Sequence, residues 1–451
     1  MIARILVGLL GLGVVVLVHE IGHFIVARLM GINVEAFSIG WGKAIWSRKI
    51  GGVEYRIGIL PIGGYCRMQG EAEFRDALTN QKDEIPRDKG TLYGATPLRR
   101  ILVAFAGPAA NALFAIIVLS FVWGFGFEVH TLSNRVVLAS EIDNAGTYPA
   151  DKAGLMTGDR IVEVNGKPIT NYQEIQESIA PYAGEKLKIK VDRSGSRLDM
   201  DIIPKLDSDT GAGKIGVYFW TDPIVESVEP GSAAAIAGIR PGDVLLSANK
   251  TALRNSVDLS MALKDKPTEL YVQVERNGIT SDKTLVLSWP DKGSADLGID
   301  FMSIRFRTPR LSIPKALVKG TEETWKTFVL SLRSISLLFR GVNLTKAVSG
   351  PVRITYMVGD VAAEGFNTGV GAGFSALASF LALLSVALFI MNLLPIPALD
   401  GGLIVLFAFE FFRRKALHPK IIYRFQMVGT SLVFGLLLFS LFGDILFLLG
   451  R

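Results

Sequence analysis

The sequence is poor in residues that could tie it together covalently. It has one cysteine, Cys66, in 451 residues. That excludes an intrachain disulfide framework and any zinc site built from four cysteines. Histidine is nearly as scarce: His19, His23, His130 and His418 are the whole supply. Charged residues make up only 20%, and the net charge of +6 contains no compact basic run or stacking motif suited to DNA or RNA. No nucleic-acid partner is expected. The N-terminus also lacks a small-residue cleavage site, and its apolar run from Ile5 to Ala27 is longer than the core of a secretory signal.

In place of charge there are long apolar runs. Hydrophobic residues make up 49% and the mean hydropathy is +0.37, concentrated toward both ends of the chain. Four stretches meet the requirement of about 20 residues for crossing a bilayer. They are Ile5 to Ala27, Ile101 to Phe127, a segment within Gly365 to Leu399, and Phe425 to Phe442. The loop between the first two carries basic residues from Arg28 to Arg100, and the loop before the fourth carries Arg413, Arg414, Lys415, Lys420 and Arg424. Basic loops stay on the cytoplasmic side. Both termini and the long segment 128–364 are therefore expected on the opposite side.

The expected organisation is a multi-pass α-helical membrane protein with four transmembrane helices, a membrane-associated β-hairpin and two inserted α+β domains. The boundaries run as follows: 1–33 for the first transmembrane helix, 34–70 for the hairpin turning at Gly51-Gly52, 71–97 for a cytoplasmic loop, and 98–127 for the second helix. Segments 128–221 and 222–308 hold the two inserted domains. An amphipathic interfacial region covers 309–364, where Trp325, Phe328, Leu332, Ile335 and Phe339 keep helical spacing and Arg333 disfavours a fifth span. The third transmembrane helix occupies 365–402, a cytoplasmic loop 403–424, and the fourth helix 425–451.

The inserted domains follow from an internal repeat. The run Ala153-Gly154-Leu155 through Gly158-Asp159 recurs as Ala237-Gly238-Ile239 through Gly242-Asp243, 84 positions later, and Asn165 and Asn249 keep the same offset. A second anchor, Ile215-Gly216 in the first copy, returns as Leu297-Gly298 in the second. A fixed period marks a repeated supersecondary unit. These residues resemble PDZ domains in a permuted, bacterial form. The resemblance implies peptide sensing at Ile215, Gly216, Leu297 and Gly298, by addition of a strand to a sheet edge. Lys250 departs from the pattern where the first copy has Gly166.

The chemistry lies in His19-Glu20-Ile21-Gly22-His23. On a helix, residues four apart share a face, so both imidazoles can bind one zinc, and the adjacent glutamate is placed as general base. Zinc lowers the pKa of bound water to about 7. In a soluble helix this motif competes with ordinary packing. Within an apolar span an ionisable residue costs roughly 2.5–3.5 kcal/mol, so three polar groups together need a common partner. A catalytic zinc takes a third protein ligand and leaves one position open. Asp400, at the end of the charge-free run in Asn392-Leu393-Leu394-Pro395-Ile396-Pro397-Ala398-Leu399-Asp400-Gly401-Gly402, is the best placed. His130 falls on the far side of the membrane, and His418 lies in a basic loop.

Taken together, the HEIGH run, the NLLPIPALDGG run and the inserted repeats resemble the site-2 protease family of intramembrane zinc metalloproteases over essentially the whole chain. Gly107-Pro108-Ala109-Ala110-Asn111 and Pro61-Ile62-Gly63-Gly64-Tyr65 are similar to two further motifs of that family. The resemblance implies one zinc per chain on His19, His23 and Asp400, Glu20 as base, and Asn392 holding substrate. Asn111 is read as a packing residue. The hairpin is expected to offer an edge strand, with Tyr55 and Ile57, to an unwound substrate. The resemblance also implies a bacterial inner membrane and single-span substrates: an anti-sigma factor after a first cut, and remnant signal peptides. Two rival classes are weaker. A transporter would show its repeats among the membrane helices, and an inactive scaffold would not need an intact HExxH.

Overall fold

A computed structural model describes residues 2–143, 146–290, 295–337 and 349–449. The chain divides into two compact units. One comprises 1–127, 308–335 and 344–451; the other is formed in the main by Glu128–Arg307.

The first unit is helical. Among the described residues, four helices are long and apolar enough to cross a membrane: α1 (Ile2–Leu29), α3 (Pro97–Phe125), α6 (Val370–Leu393) and α8 (Pro419–Leu448). Hydrocarbon offers backbone groups no hydrogen-bond partner, and continuous helices satisfy all of theirs internally. Small residues let the helices close on one another. A Cβ on Gly22 of α1 would overlap the Ala106 carbonyl of α3, and one on Gly8 would overlap Thr355. Thr355 belongs to α5 (Pro351–Thr368). The N-terminus of α5 is capped from α8: the amides of Gly350 and Val352 each donate to the Asp444 carboxylate at 3.0 Å.

The interfacial region expected at 309–364 contains two helices, α5 and α4 (Ile313–Leu337); Phe339 and Arg340 lie outside the described residues. Helix α4 is not among the four apolar spans. It packs along α3, with Gly320 against Ser120 and Ile116 and the Lys319 ammonium 5.2 Å from the Trp123 ring centre. Two further boundaries move. Residues expected to form a loop after 402 are instead helix α7 (Asp400–Arg413), because the Pro-x-Pro break ends α6 at Leu393 and a new helix starts at Asp400. Helix α8 also begins earlier than expected, at Pro419, which sits at the first helical position, with His418 as cap. The segment 71–97 includes a short helix, α2 (Glu71–Thr79).

The hairpin consists of β1 (Val34–Ile50) and β2 (Val53–Met68), turning at Gly51-Gly52. Both strands fold back on themselves. Phe37 pairs with Tyr55 on one side and Cys66 on the other, while Tyr55 pairs with both Phe37 and Arg48. The lateral order is therefore 44–50, 53–58, 34–39, 64–68. Tyr55 and Ile57 lie in an interior row with both flanks paired, so they offer no free edge. The free edges are 44–50 and 64–68. The bend in β1 falls at Gly40 and Gly42, whose positive φ values of 83° and 92° suit glycine alone.

The second unit shows its repeat in three dimensions. Strands Lys167–Pro168, Arg160–Val164, Leu187–Arg193 and Ser196–Ile202 form one antiparallel sheet, and Thr251–Ala252, Val244–Ala248, Glu269–Arg276 and Ile279–Val286 form another with the same order. Each has its own apolar core, around Ile161, Leu187 and Ile189 in one and Leu245, Leu270 and Val274 in the other. The Gly-Asp signature now has a cause. Asp159 is buried and accepts two bonds from Arg193 at 2.8 Å; the same Arg193 donates to the Gly154 carbonyl at 2.7 Å. Asp243 and Arg276 repeat this at 2.6 and 2.7 Å, with Gly238 as the carbonyl. Lys250 takes the positive φ that Gly166 takes in the first copy, 68° against 81°, at a cost of about 1 kcal/mol.

Hydrogen bonds from Arg276 hold the Asp243 carboxyl below its ordinary range. A depressed carboxylate pKa contributes stability that is complete above the unfolded value of about 3.9 and is lost as pH falls through the lowered folded value. Asp243→Ala is expected to destabilise this unit by about 3 kcal/mol, the low end for breaking a buried pair, since Arg276 remains partly hydrated. Its melting temperature should depend less on pH below 4 than that of the wild type. Thermal unfolding of the whole protein at pH 3 to 7 reads both effects.

Candidate metal centre

Helix α1 carries His19 and His23 on one face, and both rings are buried against α3. The segment Gly107-Pro108-Ala109-Ala110-Asn111 accounts for how they fit. A Cβ on Gly107 would overlap His23 and come within 2.8 Å of His19 Cε1, so glycine leaves the space the imidazoles fill. Pro108 has no amide hydrogen, so the Ala104 carbonyl four residues earlier lacks its usual helical donor. Independently of it, the Val103 carbonyl accepts from His23 Nδ1 at 2.8 Å. On the other ring, His19 Nδ1 lies 3.2 Å from the side-chain amide of Asn111, which is fully buried.

Asp400 arrives from the opposite side. After α6 ends, residues 394–399 turn sharply, with Ala398 at a left-handed φ of 73°, an uncommon and strained conformation for a side-chain-bearing residue. Helix α7 then starts on Asp400 and folds back so tightly that a Cβ on Gly401 would overlap the Leu393 and Leu394 carbonyls, and one on Gly402 the Ile396 carbonyl. The pair of glycines after Asp400 permits that return. Gly429 of α8 seats directly on the Pro397 backbone from outside. Three turns along α7, Glu410 forms a buried bidentate pair with Arg100 of α3, at 2.8 and 3.0 Å. Arg87 adds a third contact at 3.3 Å from a half-exposed position.

The result is a convergent donor set. His19 Nε2 and His23 Nε2 are 3.1 Å apart; Asp400 Oδ2 is 3.1 Å from the first and Oδ1 3.4 Å from the second. Among the described residues these three form a group whose ligand atoms lie within 4.8 Å of one another. A tetrahedral zinc with bonds of about 2.0–2.1 Å spaces its ligand atoms about 3.3–3.4 Å apart. The two nitrogens, and a carboxylate oxygen within 3.4 Å of each, lie close enough together to share one ion, and the nitrogen-oxygen donor set suits zinc. The site opens onto a cavity of about 670 Å3 lined by Glu20, Tyr65, Cys66, Asn392, Tyr423 and Gln426, among others.

Glu20 thus stands at the cavity beside the histidines, and Asn392, from the end of α6, also reaches it. Tyr55 and Ile57 do not line it: Tyr55 packs its ring on Phe24 and Phe37. The part of the hairpin that reaches the cavity is the returning edge, Tyr65 to Met68. Ile215 and Gly216 line a separate groove of about 580 Å3 with Tyr172, Ile175 and Phe219; Leu297 and Gly298 occupy the matching place in the second repeat, where the Leu297 carbonyl accepts from Ala234 as Ile215 accepts from Ala150. Tyr423 and Gln426, polar positions of α8 that line the cavity, carry no motif that marks them in the sequence. Asn111 was read without a partner, although an amide in a charge-free helix signals one.

An HExxH histidine pair joined by a distant aspartate within a set of membrane-length helices defines a membrane-embedded metalloprotease. The model of Peptidase family M50 matches residues 7–436, and the chain belongs to that family, the site-2 proteases. It is 38% identical over 446 residues to a protein of Treponema pallidum (strain Nichols) named as a zinc metalloprotease, covering 99% of each chain. It is 30% identical over 461 residues to the regulator of sigma-E protease RseP of Escherichia coli (strain K12), covering 96% of each. It is 28% identical over 457 residues to the regulator of sigma E protease of Haemophilus influenzae (strain ATCC 51907 / DSM 11121 / KW20 / Rd), covering 97% of each.

The ion pair behind Asp400 can be tested apart from the metal. Glu410→Ala leaves Arg100 buried without a counter-charge and is expected to cost about 3–5 kcal/mol. Arg87→Ala removes a half-exposed partner and should cost about 0–1 kcal/mol. Thermal unfolding in detergent distinguishes the two; equal effects would mean that α7 is not held by this pair.

Proposed function

We propose that this chain is a zinc endopeptidase that cleaves single-span membrane proteins within or near their transmembrane segment. The observation carrying this reading is the convergence of His19, His23 and Asp400, their ligand atoms within 4.8 Å of one another, beside Glu20. One zinc per chain would be held by those three side chains and would supply Lewis-acid polarisation. Glu20 takes the proton of the attacking water and returns it to the amide nitrogen as the C–N bond breaks, so the reaction yields one new carboxyl and one new amino terminus. In this reading Asn392, which lines the same cavity, holds the extended substrate backbone or the developing oxyanion.

A helical substrate hides its carbonyls in intrachain hydrogen bonds and must unwind to be cut. The hairpin edge at 64–68, rather than Tyr55 and Ile57, suits the task of pairing with the unwound segment. The basic loops support a cytoplasmic-facing active site in the bacterial inner membrane, with both termini and the repeats on the periplasmic side. The repeats read as PDZ-like domains whose anchors Ile215-Gly216 and Leu297-Gly298 sense peptide or exclude substrates with bulky outer parts. Two relatives are named as regulators of sigma-E, and the substrate in this reading is an anti-sigma factor, already cut once; remnant signal peptides are a second class with the same single-span form.

Purified wild type should cleave a single-span substrate in proteoliposomes. Glu20→Gln should bind zinc with unchanged stoichiometry and lose at least 100-fold in rate. Asp400→Ala should lose both zinc and cleavage. Cleavage surviving Glu20→Gln, or zinc content unchanged by Asp400→Ala, would refute the assignment.

A further inference from the structure

We infer that Asn111 is a positioning residue for the metal centre: its side-chain carbonyl fixes His19 in the tautomer that can bind metal. The inference rests on the ligand assignment proposed above and goes beyond it, since Asn111 touches no ion.

The two imidazoles point their Nε2 atoms at the same place, toward each other and toward Asp400. To donate a lone pair there, each ring must carry its proton on Nδ1, and each Nδ1–H then needs an acceptor. His23 finds one in the Val103 carbonyl at 2.8 Å. A carbonyl can only accept, so the tautomer of His23 is set. His19 meets the amide of Asn111, with the amide nitrogen 3.2 Å from Nδ1. In that orientation the amide would donate to Nδ1, place the His19 proton on Nε2, and aim it at the metal position. The oxygen and nitrogen of an amide are distinguished only by their partners. Here the Asn111 oxygen, although buried, has no partner among the described residues. Turned by a half rotation, the amide places that oxygen against Nδ1, where it accepts, and His19 Nε2 becomes a ligand.

Helix α3 thus orients both histidines by the same device, a carbonyl on each Nδ1–H, from the backbone at Val103 and from a side chain at Asn111. The difference is consequential. The Val103 carbonyl cannot be removed by substitution, whereas Asn111 can rotate or be replaced. Asn111 itself is firmly located: its backbone carbonyl accepts from the Ser385 hydroxyl of α6 at 3.1 Å.

The test uses full-length protein in detergent micelles, stripped of metal and titrated with zinc against a chelating indicator. Asn111→Leu keeps the volume and removes the acceptor; it should weaken zinc binding 10- to 100-fold. Asn111→Asp supplies a stronger acceptor and should bind zinc within a few-fold of wild type or more tightly. A purely packing role requires the reverse, with leucine tolerated and a buried aspartate harmful. Asn111→Ala, compared with Asn111→Asp, serves if the leucine variant does not fold, and melting of each metal-free variant reports folding independently of zinc. Wild-type affinity in Asn111→Leu or Asn111→Ala, or a loss in Asn111→Asp equal to theirs, overturns the inference while His19→Ala still loses zinc. If His19→Ala binds zinc as wild type does, the ligand assignment itself fails and the inference falls with it.

Discussion

The close approach of α1 to α3 is the constraint on which the remaining architecture depends. Two imidazoles and a carboxylate within membrane-length helices are each costly alone. They become tolerable only where their polar atoms meet one another. That requires the α1 and α3 backbones to lie closer than ordinary side chains allow. Gly22 removes a side chain from α1 where it faces Ala106, and Gly107 removes one from α3 where the rings lie. Small residues at such a crossing are the general means of close packing in lipid. Here they also leave room for ligands. The glycine in HEIGH is therefore a packing requirement of the motif rather than a spacer.

The carboxylate is delivered by a different strategy. The imidazoles ride on one uninterrupted helix, but Asp400 stands where a span has been broken and restarted. Irregular backbone at this depth is acceptable only when it is enclosed by protein or lines a wet cavity. Residues 394–399 are enclosed by α7 folding back over them and by Gly429 of α8 pressing on Pro397, and the site they lead to borders the cavity. The strain at Ala398 is held from both sides, by the α7 return and by the Arg100–Glu410 pair at the far end of the same helix. That buried pair is weak as a source of net stability, since desolvation offsets much of its attraction. Its value lies in fixing the direction of α7 relative to α3, the helix that orients the histidines.

The four spans were legible because a bilayer sets a length and forbids charge, and both leave plain marks in a sequence. The grouping of His19, His23 and Asp400 was legible because packing alone rarely places such polar residues inside apolar spans. The division of the third segment was less legible. Pro395 and Pro397 mark a break, but whether helix resumes at Asp400 depends on Gly401 and Gly402 meeting carbonyls that come from the preceding turn. The interior position of Tyr55 was hidden for a related reason. Alternating apolar residues show that β2 is a strand, whereas the doubling-back of β1 at Gly40 and Gly42 decides which row has a free edge. Asn111 was visible as a polar residue in an apolar helix, yet its partner stands 92 positions away, and no local pattern encodes that contact.

The corrected hairpin also brings two functional requirements together. A peptide bond cannot be hydrolysed while its carbonyl is engaged within a helix, so an enzyme acting on a membrane span must compensate the hydrogen bonds that unwinding releases. Hydrocarbon provides none. A strand edge does, and it is useful only if it lies beside the attacking water. In this chain the edge at 64–68 lines the same cavity as Glu20, and a Cβ added at Gly64 would lie 3.3 Å from Glu20 Cγ. The group that would accept the proton and the backbone that would hold the substrate are thus neighbours. A segment paired to such an edge would be extended, with alternate carbonyls turned away from the sheet partner. The doubling-back of β1 removes Tyr55 from the edge, and the doubling-back of β2 carries Gly64 to the side of Glu20.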